Sequence, residues 1–418
     1  MDSILFRSVK KFKSSILTLR VIAPIEKETL NERAIIGPVL AASTKKYHSK
    51  SGLSRRLNWL YGTQFSVYTM KIGFQSVISF QFVYPNSAFL PNQESLLEPV
   101  VALLHEIIYR PLILDGHFPN TVVNDEVRLL KESLESEYND KNEYAFQQFR
   151  QTMFDGETYS LRTKGDLSTL DRLSSHSLME YYQEFLKQPM LISLVGDGEE
   201  AMIKHIISKY FTLKPLNDRY LWIDTEASLH ACPIVKREEN HITQSKLFIG
   251  YRTQVTFDQP LYLAMQLFNM MLGDSDQSLL FKTVRERDHL CYSIGSTYDS
   301  NKGMILISMG VDSTNEQKAI DAVKSVIADM QAGLFEDSWL SIAKSLQTRR
   351  IQQRNDSLVS LAHADFYYQI IHDAPFDMDT WIQKNSQITH SDIVYCANQL
   401  ILDTTYTLAP KEEHHEVV

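Results

Sequence analysis

Apolar and polar residues alternate over 15–22 (Ser-Ile-Leu-Thr-Leu-Arg-Val-Ile), which predicts a strand. Residues 32–43 change to an apolar helical run, and 54–60 give a short helix stopped by Tyr61-Gly62. Residues 64–71 and 76–84 return to strand. Leu96, Leu97, Val100, Val101, Leu104 and Ile108 predict a helix over 95–109. The strongest periodicity runs over 125–154, where Val127, Leu130, Leu134 and Tyr138 are followed by Phe146, Phe149 and Met153, and it predicts one long helix. A helix over 174–186 then leads to the apolar run 190–195, closed by Gly196-Asp197-Gly198.

The second half repeats this order. A strand at 246–252 precedes an apolar helix at 260–272 and a short helix at 278–287. Strands at 291–298 and 304–311 follow, then helices at 317–331, 338–356 and on to 371. The chain therefore reads as two copies of one unit, an internal repeat far longer than a solenoid period. The expected division is 1–212, a linker at 213–240 marked by Pro215, Asn217, Asp218 and Pro233, and 241–418. Hairpin-like strand pairs with helices between them predict an α+β fold, each domain a mainly antiparallel sheet packed with helices.

Composition adds exclusions. A formal net charge of -9 argues against a nucleic-acid partner, which requires a concentrated basic surface. The basic stretches at 10–13 and 349–354 read as solvated faces. Three scattered cysteines, Cys232, Cys291 and Cys396, form no disulfide framework and no thiolate metal motif. No stretch reaches the ~18–20 apolar residues of a membrane span, and the N-terminus lacks the pattern of a signal peptide. The expected location is the cytoplasm, in a reducing compartment.

The stretch 271–292 carries the most chemical information. Leu272, Gly273, Ser278, Leu280, Phe281, Arg285, Glu286, Leu290 and Tyr292 fall, without a gap, on the C-terminal-domain signature of the pitrilysin, insulinase and mitochondrial-processing-peptidase family, the inverzincin metallopeptidases. Asp274, Ser275, Gln277, Leu279 and His289 depart from it. Ala145-Phe146, Met153-Phe154, 165–170, Tyr181-Tyr182 and Val195-Gly196-Asp197 resemble that family's landmarks in the first half. The resemblance covers nearly the whole chain and implies two homologous α+β domains of the LuxS and processing-peptidase type.

Active relatives carry H-x-x-E-H on the first long helix: two histidines bind zinc and the glutamate activates the metal-bound water, with a later glutamate as third ligand. Aligned without gaps, those positions fall at Ala34, Gly37 and Pro38, and the distal ligand at Ser133, with Glu132 beside it but turned ~100° around the helix. Aliphatic side chains cannot coordinate a divalent metal, and Pro38 interrupts helical bonding unless it sits in a first turn. No zinc chemistry is expected from this chain.

Arg285 and Tyr292 remain. In the family this pair holds the substrate backbone near the zinc; a guanidinium can anchor a peptide carbonyl and a phenol can donate to a developing oxyanion. From residue type alone, Arg285 could equally form a surface ion pair and Tyr292 be a strand residue half in the core. Overall the chain is similar to the zinc-less subunits of low-GC Gram-positive bacteria. The resemblance implies a non-catalytic subunit of a heterodimeric peptidase, with zinc in a homologous partner and peptides as substrate. The alternative is a structural or peptide-binding protein of the same fold.

Other features weigh less. His105-Glu106 lacks the second histidine of a zinc motif, and Gly196-Asp197-Gly198 lacks the Lys-Ser/Thr ending of a P-loop. Asp274, Asp276 and Asp288 match no EF-hand spacing, and the tail from Lys411 to Glu416 reads as a polar terminus.

Overall fold

A computed structural model describes residues 2–162, 164–216, 223–224, 230 and 232–411. The first elements are β1 (Ile4–Ser8), β2 (Ser14–Pro24), α1 (Leu30–Ala42), α2 (Lys50–Trp59), β3 (Gln64–Ile72) and β4 (Gln75–Pro85). Then come α3 (Leu97–Tyr109), α4 (Asn120–Asn139), α5 (Lys141–Met153), α6 (Ser175–Phe185), β5 (Met190–Gly196) and α7 (Glu200–Tyr210). The later part holds β6 (Ile234–Asn240), β7 (Ser245–Arg252), α8 (Tyr262–Leu272), β8 (Cys291–Asp299) and β9 (Met304–Val311). It ends with α9 (Glu316–Gln331), α10 (Asp337–Asn355), α11 (Leu358–His372), α12 (Met378–Gln387), α13 (His390–Asn398) and β10 (Ile401–Pro410).

The two sheets have the same topology, β1-β5-β2-β4-β3 and β6-β10-β7-β9-β8. Within each, three neighbouring pairs are antiparallel and one, β1 with β5 or β6 with β10, is parallel. The fold is thus α+β with mainly antiparallel sheets, and the internal repeat holds strand by strand.

The chain forms two compact units, but not by a single cut. Unit 1 comprises 1–136, 161–222 and 354–376; unit 2 comprises 137–160, 223–353 and 377–418. Each unit takes in one segment that chain order assigns to the other half: α5 packs in unit 2 and α11 in unit 1. The single long helix predicted over 125–154 is corrected here. It breaks at Asp140, whose carboxylate accepts the Asn142 N–H (2.8 Å) and the Glu143 N–H (3.3 Å) and so starts a new helix. Part of the expected 213–240 linker, including Asn217 and Asp218, lies outside the described residues, as does the tail beyond Lys411.

In unit 1, one face of the sheet (Leu17, Leu19, Val21, Ile78, Phe80, Phe82, Ile192, Leu194) packs on α1, α3, α6 and α7. The other face meets α11 through Leu361, Ala362, Phe366 and Ile370. With both faces covered, β2 and β4 are buried along nearly their whole length, polar residues included, and β5 reads as a near-continuous apolar run.

In unit 2, Leu247, Ile249, Tyr251, Ile305 and Ile307 face α8, α9 and α13. Phe248, Met304, Leu306, Tyr406 and Leu408 face α5. Gly250 permits that second contact, since a Cβ there would lie 2.4 Å from Met153 Sδ and 2.7 Å from Phe149 Cζ. Among the described residues no helix is long and apolar enough to cross a membrane.

Candidate functional site

The degenerate metal position lies in unit 1. α1 runs unbroken from Leu30 to Ala42 with Pro38 well inside it, not in the first turn, so the helix forgoes one backbone hydrogen bond there. Gly37 is pressed against the sheet: an added Cβ would sit 2.7 Å from Val67 Cγ1 and 3.2 Å from Ile78 Cγ2. Any side chain at the position of the family's general base therefore meets β3 and β4.

Ala34 faces the opposite neighbours. A Cβ built on Gly165, whose φ is +103°, would lie 3.7 Å from the Ala34 Cβ, 3.4 Å from Leu130 Cδ2 on α4 and 2.6 Å from Asn31 Oδ1. Asn31 clamps this loop over α1, accepting the Asp166 N–H (2.7 Å) and donating to the Asp166 carbonyl (3.1 Å) and Thr169 Oγ1 (3.0 Å). Ser133 is exposed on α4. Where the family's zinc would require three donors, this chain supplies a methyl group, a proline and a surface hydroxyl, and at the general base a glycine without space. The residues do not fit the metal. Among the described residues no three His, Cys, Asp or Glu side chains gather in a way that could hold one.

The buried carboxylate nearby is Glu126 on α4, bonded by Lys50 Nζ at 2.5 Å. Sequence reasoning passed over it, because a glutamate on an amphipathic helix carries no sign of burial.

Arg285 and Tyr292 lie in unit 2, and the signature residues around them frame them. α8 ends at Gly273, where a Cβ would sit 2.7 Å from the Ser296 backbone nitrogen, so glycine lets the chain lie directly on β8. Ser296 N–H donates to the Gly273 carbonyl (3.0 Å), and Ser296 Oγ to Asn269 Oδ1 (2.8 Å). Ser278 is fully buried and donates its hydroxyl to the Ser275 carbonyl at 2.5 Å. The predicted helix at 278–287 is a wide turn over Phe281–Arg287, in which Asp288 N–H reaches back five residues to the Thr283 carbonyl (2.9 Å). His289 takes the left-handed conformation (φ +53°) at a place where the family has glycine. The chain then turns into β8.

Tyr292 stands at a bulge. Cys291 pairs with Val311 and Ser293 with Gly310, so Tyr292 is the extra residue of the edge strand and its side chain is 58% exposed. Arg285 is exposed, its guanidinium over the Phe281 ring at 4.6 Å, and it makes no ion pair among the described residues. Neither plain structural reading of these two residues holds: the tyrosine is not half in the core, and the arginine is not spent on a carboxylate.

A groove of about 520 Å³ is lined by Ser293, Ile294 and Gly295 of β8, by Phe248 and Met309, and by Glu143 and Phe146 of α5, and neither Arg285 nor Tyr292 lines it. β8 pairs only with β9 among the described residues, so its outer edge offers free backbone donors and acceptors.

The remaining candidates resolve into structure. Asp274 is bound by Arg350, and Asp288 by Arg287 at 2.7 and 2.9 Å, so neither joins a cation site. His105 packs among Tyr109, Tyr210 and Phe211, and burial, with Arg110 nearby, holds its pKa below the ordinary value. Glu106 accepts the Lys46 N–H (2.9 Å). Gly196 is where β5 crosses Ser15, whose Oγ would lie 2.0 Å from a Cβ, so the Gly196–Gly198 turn is a packing device. Cys291 and Cys396 are buried, their thiols pushed up to about 11 and about 12 by desolvation, which leaves them protonated and inert.

Comparison with known proteins agrees with this geometry. Residues 172–346 match the Peptidase M16 inactive domain. The chain is 29% identical over 406 residues to a protein of Bacillus subtilis named probable inactive metalloprotease YmfF, covering 96% of this chain and 94% of that one. A conserved protein from Enterococcus faecalis has the same fold, with a TM-score of 0.92 at 24% identity over 98% of this chain and 97% of its own. The structure of a peptidase M16 inactive domain from Pseudomonas fluorescens superposes with a TM-score of 0.79 at 15% identity, covering 98% and 96%.

Proposed function

This chain is an M16-family peptidase homologue without the family's zinc motif, and from that premise we propose that it is the non-catalytic subunit of a heterodimeric zinc peptidase. A zinc-bearing homologue supplies the metal and the general base. This chain supplies Arg285 and Tyr292 to the bound peptide.

The observation that carries the reading is the presentation of the two side chains. A donor-less chain that served only as a wall would have no reason to hold a guanidinium on Phe281 without an ion pair among the described residues, or to set a phenol out on a bulge. Their chemistry suits acyl transfer: a guanidinium anchors a carbonyl, and a phenol donates to an oxyanion. The unpaired edge of β8 suits an extended peptide by strand addition, and the groove beside it is large enough for one of its side chains. The substrate class is therefore unfolded peptide. The pair works in solution, in the cytoplasm.

The test is reconstitution with a zinc-bearing homologue from the same genome. Neither chain alone cleaves a fluorogenic peptide library efficiently; the mixture does. Arg285→Ala and Tyr292→Phe each lower kcat by about 10²–10³-fold, the usual cost of one transition-state donor, while co-purification is unchanged. Unchanged kcat in both variants would instead favour a purely structural or peptide-binding role. Stoichiometric zinc in the isolated chain, with chelator-sensitive cleavage, would overturn the reading.

A further inference from the structure

Two of the buried guanidinium groups, those of Arg33 and Arg252, are engaged at both Nε and Nη2. Arg33 donates from Nε to Ser76 Oγ (2.9 Å), from Nη1 to Gln188 Oε1 (2.6 Å) and from Nη2 to the carbonyls of Val21 (2.8 Å) and Ser76 (2.5 Å). Arg252 donates from Nε to Asp403 (2.7 Å) and from Nη2 to Glu157 (2.8 Å) and the Met153 carbonyl (2.7 Å).

Arg20 is held differently. It sits in the middle of β2, 0% exposed, on the sheet face covered by α11. Nη1 donates to Ser193 Oγ (2.6 Å), and the guanidinium stacks on the Phe366 ring at 3.9 Å. Nε and Nη2 have no partner. Those two nitrogens form the edge with which arginine grips an anion through two parallel N–H bonds, and an unpaired buried donor carries its full desolvation cost.

The strand register places further donors next to Arg20 on the same sheet face. Ser79 lies directly opposite Arg20 on β4, and Thr18 is the next residue on the same face of β2. Both hydroxyls are buried without a partner. Tyr68, opposite Ser79 on β3, has its hydroxyl held by Gln81 (3.1 Å) and His363 (3.2 Å).

Charge is unbalanced too. The carboxylate whose charge reaches Arg20 is Asp365, and its Oδ1 is bound to Arg7 Nη1 (2.8 Å) and to the Phe376 N–H (3.2 Å). Two guanidinium groups thus share one carboxylate. Burial and Arg20 itself hold His363 below its ordinary pKa, so it is neutral near pH 7 and adds no charge. Desolvation lowers Arg20 to about 10, which still leaves it protonated there.

We propose that the Nε–Nη2 edge of Arg20, with the hydroxyls of Ser79 and Thr18, binds a small monovalent anion of halide size between the sheet of unit 1 and α11. The anion neutralises the excess cation and fastens α11 to the sheet. The site owes nothing to Arg285 or Tyr292, so it stands or falls apart from the peptidase reading.

The experiment is a crystal structure of the full chain grown in bromide. An anomalous peak within about 3.5 Å of Arg20 Nε and Nη2, the range of an N–H to halide contact, supports the site. Water, or the Asp365 carboxylate, against that edge overturns it. Melting temperature provides a second readout. In chloride it exceeds that in gluconate at equal ionic strength, and the difference disappears in Arg20→Met. Should that variant not fold, the difference shrinks in Ser79→Ala. An equal response of the wild type to both salts overturns the proposal.

Discussion

Gly37→Ala on α1 sets two effects of opposite sign against each other. In an exposed helix, glycine to alanine gains about 0.8–1.0 kcal/mol of helix propensity. Here the new methyl would lie 2.7 Å from Val67 Cγ1, 3.2 Å from Ile78 Cγ2 and 3.8 Å from Phe80 Cζ. Val67 and Ile78 branch at Cβ and belong to adjacent strands, so they have few ways to yield. Overpacking of this kind costs about 1–3 kcal/mol. The steric term wins, and the variant loses about 1 kcal/mol. Gly37→Glu, which restores the family's general base, also buries a carboxylate among apolar groups, a further loss of about 1–3 kcal/mol or more.

Urea unfolding followed by circular dichroism measures this, with the m-value required to stay constant. Val67→Ala should rescue Gly37→Ala, giving a favourable coupling of about 0.5–1 kcal/mol in the double-mutant cycle. A Gly37→Ala protein more stable than wild type would refute the reasoning, since α1 would then be free to withdraw from the sheet. With that freedom a metal site could be rebuilt. The stated geometry predicts the opposite: the quadruple variant Ala34→His, Gly37→Glu, Pro38→His, Ser133→Glu binds no stoichiometric zinc by metal analysis of the purified protein.

Three further outcomes follow from the same packing. His289→Gly removes the strain of a left-handed residue, worth about 1–2 kcal/mol, against about 0.4–1 kcal/mol of added freedom in the unfolded chain, so stability rises by about 0.5–1 kcal/mol in the same urea assay. Lys302→Met leaves the buried carboxylates Glu157 and Asp224 short of a cation and costs about 3–5 kcal/mol; a loss below 1 kcal/mol would show that the network carries little. Alkaline stability tests the buried thiols. The folded-state pKa of Cys396 is raised to about 12, so above its ordinary value near 9 the unfolded chain binds fewer protons than the native one. Its contribution is therefore full below pH 9 and is lost towards pH 12 at about 1.4 kcal/mol per pH unit. A pH titration of unfolding should show a shallower decline in Cys396→Ala.

The elements the sequence revealed were those with one dominant buried face or a long apolar run. β1, β6, β10, α7, α12 and α13 had neither signal in sufficient length: β6 reads Ile-Val-Lys-Arg-Glu-Glu-Asn, and β10 is rich in threonine. The long-helix prediction over 125–154 failed for a related reason. Both α4 and α5 have helical periodicity, so apolar spacing alone joins them, and the break lies in the carboxylate of Asp140. Nor can periodicity tell a helix which sheet to cover. Phe149 and Met153 announce an apolar face, but only the glycine at Gly250 leaves a space that fits them.

The candidate site divides along the same line. That Ala34, Gly37, Pro38 and Ser133 lack metal donors is a statement about residue types, and a sequence is sufficient for it. That Gly37 has no room for a general base is a statement about Val67, thirty residues away, and needs the fold. The first fact could be reversed by four substitutions, while the second requires β3 and β4 to move. Loss of the general base in this chain is therefore a property of packing as well as of residue type, and a position closed by packing does not reopen when its side chain returns.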